Sequence, residues 1–143
     1  MPDSGTPPAS PADAIDLLYQ RLVRCAESDD YDGYANLFDP RAALVLPKCA
    51  PIEGQAGVRA WAREFLSTWD VRSDVFQILD RREGDTVAFV RFHGAGRYLP
   101  KRGGAAVPFD HNYLDVLVRE PVGEWRIAVH QAGPATTAPT AWD

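Results

Sequence analysis

The sequence is poor in everything that would tie it to a membrane, a metal or a nucleic acid. No apolar run approaches the roughly 18 residues that a helix needs to cross a bilayer, so no membrane partner is expected. The N-terminus M-P-D-S-G-T-P-P lacks the charged and apolar regions of a secretory leader, and the expected compartment is the cytoplasm. Only two cysteines are present, Cys25 and Cys49, at neither a metal nor a redox spacing, and in a reducing compartment both are expected as free thiols. The three histidines have no close ligand spacing with one another or with carboxylates, so no metal site is expected. There is no lysine/arginine run, and a net charge of −5 gives no footprint for nucleic acid. No G-x-S-x-G elbow, P-loop or G-x-G-x-x-G occurs, since G-A-G-R-Y-L lacks the last glycine. Serine-hydrolase and nucleotide-binding chemistry fall away, and no cofactor is implied.

What is present is one domain's worth of chain: 143 residues, 45% hydrophobic and 24% charged. Residues 1–12 and 134–143 are rich in Pro, Ser, Thr and Ala and read as flexible ends around a folded unit of 13–133. Trp142 is an isolated large apolar residue in the second of these, either simply exposed or folded back over a pocket or a neighbouring subunit. Ile15, Leu18, Leu22, Cys25 and Ala26 recur at helical spacing from Asp13. The stretch 29 to 38 reads as a second helix stopped by Asp39-Pro40, and Ala43 to Leu46 as a short strand. Val58, Trp61, Ala62, Phe65, Leu66 and Trp69 form the wide apolar face of a third helix. Strands are expected at about 71 to 81, 86 to 99, 106 to 119 and 124 to 132, parted by R-E-G-D, K-R-G-G and E-P-V-G. Helices followed by hairpin-linked strands predict an α+β domain, an antiparallel sheet covered on one face by helices.

Alternation divides V-P-F-D-H-N-Y-L-D-V-L-V (107 to 118) into two faces, Asp110 and Asn112 on one, His111, Tyr113 and Asp115 on the other. In the strand before it, Ala88, Val90, Phe92, Gly94, Gly96 and Tyr98 form an apolar or small face that should be buried. The two glycines there either clear space for a ligand or let the sheet bend.

The order helix, helix, short strand, E-G-x-x-G-V-x-x-W helix, then strands closing on G-E-W-R-I, resembles the nuclear transport factor two-like superfamily. Its enzymes include ketosteroid isomerases, limonene epoxide hydrolases and SnoaL-type polyketide cyclases. The resemblance implies a curved antiparallel sheet wrapped around three N-terminal helices, a cone with an internal pocket, and a homodimer through the outer sheet face. The nearest local similarity is to the isomerases, at D-x-D-G-x-x-x-L-F (30 to 38) and A-V-P-F-D-H. Their P-x-D-H aspartate lies inside the pocket as a protonated hydrogen-bond donor, and its counterpart is Asp110. Leu114 and Val116 continue its face as apolar residues, which favours Asp110 and Asn112 as the inward pair. The isomerases' general base would fall near Leu46, and their oxyanion tyrosine near Leu22, with Tyr19 one turn earlier as an approximate substitute. The aspartate of the cyclases and epoxide hydrolases would fall around Gln131 or Ala132.

The resulting expectation is a cofactor-free cyclase or isomerase acting on a bulky, apolar, polyketide-like substrate. Asp110, Asn112 and Tyr19 carry the chemistry, and Tyr34, Trp61, Phe65, Leu46, Val90, Phe92, Gly94, Leu114 and Gln131 contact the substrate. The ring closure would be aldol-like or pericyclic. The alternatives are an epoxide hydrolase or isomerase with relocated acid and base, and a non-catalytic module that binds a hydrophobic ligand. His93 and His111 are expected to face outward, and His130 likewise unless a bulge inverts its strand.

Overall fold

A computed structural model describes residues 13–135, so Trp142 and the two proline-rich ends lie outside the described residues. Helix α1 (Asp13–Glu27) buries the stripe Ile15, Leu18, Tyr19 and Leu22, and Arg24 in its last turn complements the helix dipole. Helix α2 (Tyr31–Asn36) is capped by Asp30, whose carboxylate accepts from Gly33 N at 2.9 Å. A Cβ at Gly33 would lie 2.3 Å from Asp30 Oδ2, so the cap requires glycine there.

Strand β1 (Phe38–Val45) follows at once, longer than the expected 43 to 46 and running through Pro40. The proline is tolerated because pairing with β6 (Arg126–Pro134) is irregular between Phe38 and Ala43, where no ladder donor is demanded of it. The short β2 (Ile52–Glu53) leads through Gly54, at φ +82°, into α3 (Gly54–Thr68). Helix α3 buries Val58, Ala62 and Leu66, while Arg59 bonds Asp32 and Asn36 and ties α3 to α2.

The strands β3 (Trp69–Glu83), β4 (Val87–Pro100), β5 (Val107–Val118) and β6 then form an antiparallel meander. The sheet is six-stranded in the order β2-β1-β6-β5-β4-β3, with β1 and β6 parallel. It is curved and unclosed, its concave side covered by the N-terminal helices: the α+β cone architecture expected from the sequence. None of the described helices is long and apolar enough to cross a membrane.

Candidate active site

The pairing register decides which faces look inward. On β4 the even residues are buried as expected, Ala88, Val90 and Phe92 being almost inaccessible. Antiparallel partners share a face, and the register couples Gly94 with His111, Phe92 with Tyr113, Val90 with Asp115 and Ala88 with Leu117. Even on β4 therefore meets odd on β5. His111, Tyr113 and Asp115 point into the cone, and Asp110, Asn112 and Leu114 point away from it, which reverses the expected assignment. Leu114 is 44% exposed, and the Asp110 carboxylate lies on the outer face, 2.6 Å from His93 Nε2.

The last strand repeats the reversal. A bulge between Val116 and Leu117, opposite Ile127 and Val129, shifts the alternation of β6. Trp125 and Ile127 are buried, and after the bulge His130 and Ala132 are buried instead of Val129 and Gln131. Gln131 is exposed on the outer side, opposite Leu114, and His130 faces Asp115 across the ladder.

At the floor of the cone these shifts assemble three polar side chains. Asp115 is fully buried; its Oδ2 accepts a 2.6 Å hydrogen bond from the Tyr19 hydroxyl of α1. Its Oδ1 lies 2.8 Å from His130 Nδ1, an ion-pair separation without the alignment of a linear hydrogen bond. Burial first, and the adjoining Asp115 carboxylate second, push the Tyr19 phenol far above its ordinary range, so it remains a donor. The His130 ring is enclosed by Phe38, Phe92 and Tyr113, with centroids at 6.0, 6.1 and 5.2 Å. With Nδ1 turned to the carboxylate, Nε2 is the nitrogen left to serve the cavity that His130 lines.

That cavity holds about 330 Å³. Tyr34, Trp61, Phe65, Leu46, Phe92 and Gly94, the expected substrate contacts, line it together with His111, Tyr113 and His130. Val90 lies instead in the solid core, and Tyr19 does not line the cavity but stands behind it, bonded to Asp115 and packed on Phe76 and Phe92. Trp61 and Phe65 remain half-buried because they border open space rather than packed side chains. The Tyr113 hydroxyl lies 3.2 Å from His111 Nδ1, and burial raises its pKa. His111 is pushed down, chiefly by burial, with the Asp110 charge opposing and His130 reinforcing; it is neutral at pH 7. Among the described residues no group of three His, Cys, Asp or Glu could hold a metal.

The SnoaL-like domain family matches residues 19–131, from the tyrosine behind Asp115 to the residue after His130. The chain belongs to this family. Among solved structures, a ketosteroid isomerase-like protein from Erwinia carotovora atroseptica is similar, with a TM-score of 0.76 at 16% identity over 87% of this chain and 95% of that one. A candidate dehydratase of the NTF2-like family from Streptomyces avermitilis gives 0.70 at 15% identity, over 88% and 97%. A candidate aromatic ring hydroxylase from Novosphingobium aromaticivorans gives 0.73 at 20% identity, over 90% and 94%. No curated protein matches the sequence. Likenesses at these identities establish the NTF2-like fold, a fold that hosts different functions, so the function must be read from the residues in this SnoaL-like cone.

Two of those residues, Asp115 and His130, escape a reading of each strand alone. The available signal was in the sheet: once the even face of β4 is taken as buried, pairing with β5 decides the inward set. The β6 bulge has no comparable local mark.

Proposed function

We propose that this SnoaL-like protein is a cofactor-independent acid–base enzyme that moves a proton next to a carbonyl, as an isomerase or an aldol-type cyclase. The observation that carries the reading is the buried His130–Asp115–Tyr19 series at the floor of an aromatic cavity. Removing a carboxylate from water costs several kcal/mol (order of magnitude). A fold with no use for the group would be better served by an apolar side chain.

In this reading His130 Nε2 takes a proton from the carbon beside a substrate carbonyl. Asp115 fixes the ring orientation and stabilises the imidazolium that forms, and Tyr19 holds Asp115 in place. The developing enolate oxygen is met by the Tyr113 hydroxyl, which burial keeps protonated. The Tyr113 and His130 rings pack beside each other, 5.2 Å apart between centroids, and both line the cavity, so one substrate can meet both. Isomerisation follows when the proton returns to a different carbon. Ring closure follows when the enolate carbon bonds to a second carbonyl carbon, whose oxygen then takes the proton from His130.

The test is deuterium uptake at the α-carbon of neutral cyclic ketones in D2O, followed by proton NMR. Uptake catalysed by the wild type and lost in a folded His130→Gln variant supports the proposal. Equal catalysed rates in the two proteins would remove His130 from the chemistry, and a wild-type rate no faster than that without protein would leave the binding-module reading.

A further inference from the structure

The lining of the cavity restricts what His130 can act on. We infer that the ligand is a neutral, flat, two-ring compound, aromatic or partly reduced, carrying one carbonyl or phenolic oxygen. The inference rests on the cavity being the proton-transfer site and adds the class of molecule it accepts.

Size sets the first limit. A cavity of about 150 Å³ in a protein core holds one benzene. The roughly twofold larger 330 Å³ here has room for two fused rings in the tight packing that benzene finds in the smaller cavity, and a four-ring skeleton would have to pack closely or project from the open mouth. Charge sets the second. Among the described residues no lysine, arginine, aspartate or glutamate side chain lines the cavity, and the His111 ring is held neutral by burial. A carboxylate or phosphate would lose its water there without meeting a fixed cation.

Shape sets the third. The walls are built of near-parallel ring pairs: Trp61 on Phe65 at 14°, Phe92 on Tyr113 at 9°, and Tyr98 on Phe109 at 15°. Such walls favour a planar guest that can offset-stack. Gly94 contributes directly, since a Cβ there would lie 3.1 Å from Tyr113 Cε1 and displace the ring. The phenols of Tyr34 and Tyr98 also line the slot. Both are raised by burial, Tyr98 to about 12, so both meet the guest as neutral hydroxyls suited to an uncharged oxygen.

The experiment is calorimetric titration of the wild-type protein at pH 7 with four probes: phenol, 2-naphthol, 2-naphthoate and the four-ring neutral estradiol. The expected order has 2-naphthol at least tenfold tighter than each of the other three, with quenching of Trp61 emission that is absent in Trp61→Phe. Binding of 2-naphthoate, phenol or estradiol as tight as that of 2-naphthol would overturn the assignment. His130→Gln separates this from the proposed function. Retained 2-naphthol preference without deuterium exchange in the wild type refutes the chemistry and keeps the ligand class. Exchange on ring ketones without that preference does the reverse.

Discussion

Two histidine–aspartate pairs are built on strand β5, alike in residue type and separation but different in their surroundings and in the ring nitrogen that faces the carboxylate. Asp110 meets His93 of β4 at 2.6 Å on the outer face, with side chains 47% and 29% exposed. Asp115 meets His130 of β6 at 2.8 Å inside the cone, with side chains 0% and 6% exposed. The two aspartates are an odd number of positions apart, so the pleat sends them to opposite sides of the sheet. Outside, water and salt screen the pair, and such contacts are worth no more than about 1 kcal/mol. Inside, among the described residues, the Asp115 carboxylate has Tyr19 and His130 as its polar side-chain partners, and the imidazole is held in one orientation. What distinguishes a candidate catalytic dyad from a surface contact is thus the side of the sheet and not the residue pair.

The sharpest way to break that contrast is to disrupt each pair in turn. Replacing Asp115 with leucine leaves the Tyr19 hydroxyl and His130 Nδ1 buried without their partner. About 3–5 kcal/mol of stability should disappear, read as a lower urea midpoint. Tyr19→Phe removes only the hydrogen bond to Asp115 Oδ2. The expected loss is about 1–3 kcal/mol, accompanied by slower proton exchange even where the variant is fully folded. Asp110→Leu on the outer face should cost at most about 1 kcal/mol and leave exchange untouched; a larger loss would mean that the outer pair is not the weak partner in the comparison.

The smallest effect concerns a surface ion cluster that serves as a pH control. Lys101 reaches Asp29 at 2.8 Å and also bonds Asp70. Its bond to Lys101 is the main cause lowering the Asp70 pKa, and the bonds to Asp29 and then Asp70 raise that of Lys101. A depressed carboxylate contributes stability above its unfolded pKa of about 4 and loses it as the pH falls through the folded value. A raised lysine contributes below its unfolded pKa of about 10.4 and loses that as the pH rises through its folded value. Lys101→Met should therefore lower the melting temperature slightly between these limits and merge with the wild type in strong acid, seen by thermal melts across pH.

Much of the architecture was legible because it follows from periodicity. The α1 and α3 stripes, the buried even face of β4 and the turns between strands are local patterns, and they emerge in the structure nearly where spacing put them. The α2–β1 junction was misplaced because Pro40 reads as a stop, whereas an irregular ladder accommodates it. The cavity walls Tyr34, Trp61, Phe65 and Phe92 were legible for the same reason that core residues are, since a hollow fold lines its pocket with the faces that would otherwise pack. The floor was not. Asp110 attracted the assignment through a short motif and an apolar continuation at Leu114, but the register turned that whole face outward. The bond between Tyr19 and Asp115 joins residues 96 positions apart, and the inward turn of His130 depends on one bulge. Neither leaves a trace at the scale of a single strand.

The central claim is that the inner pair, and not the outer one, moves a proton. Matched Asp115→Asn and Asp110→Asn variants, both checked for folding, should be compared for deuterium uptake into a neutral two-ring ketone. The account predicts that Asp115→Asn loses catalysed exchange by roughly 10²–10⁴-fold, the usual worth of a positioned acid or base, while Asp110→Asn keeps the wild-type rate. The opposite pattern, with Asp110→Asn inactive and Asp115→Asn unaffected, would contradict it.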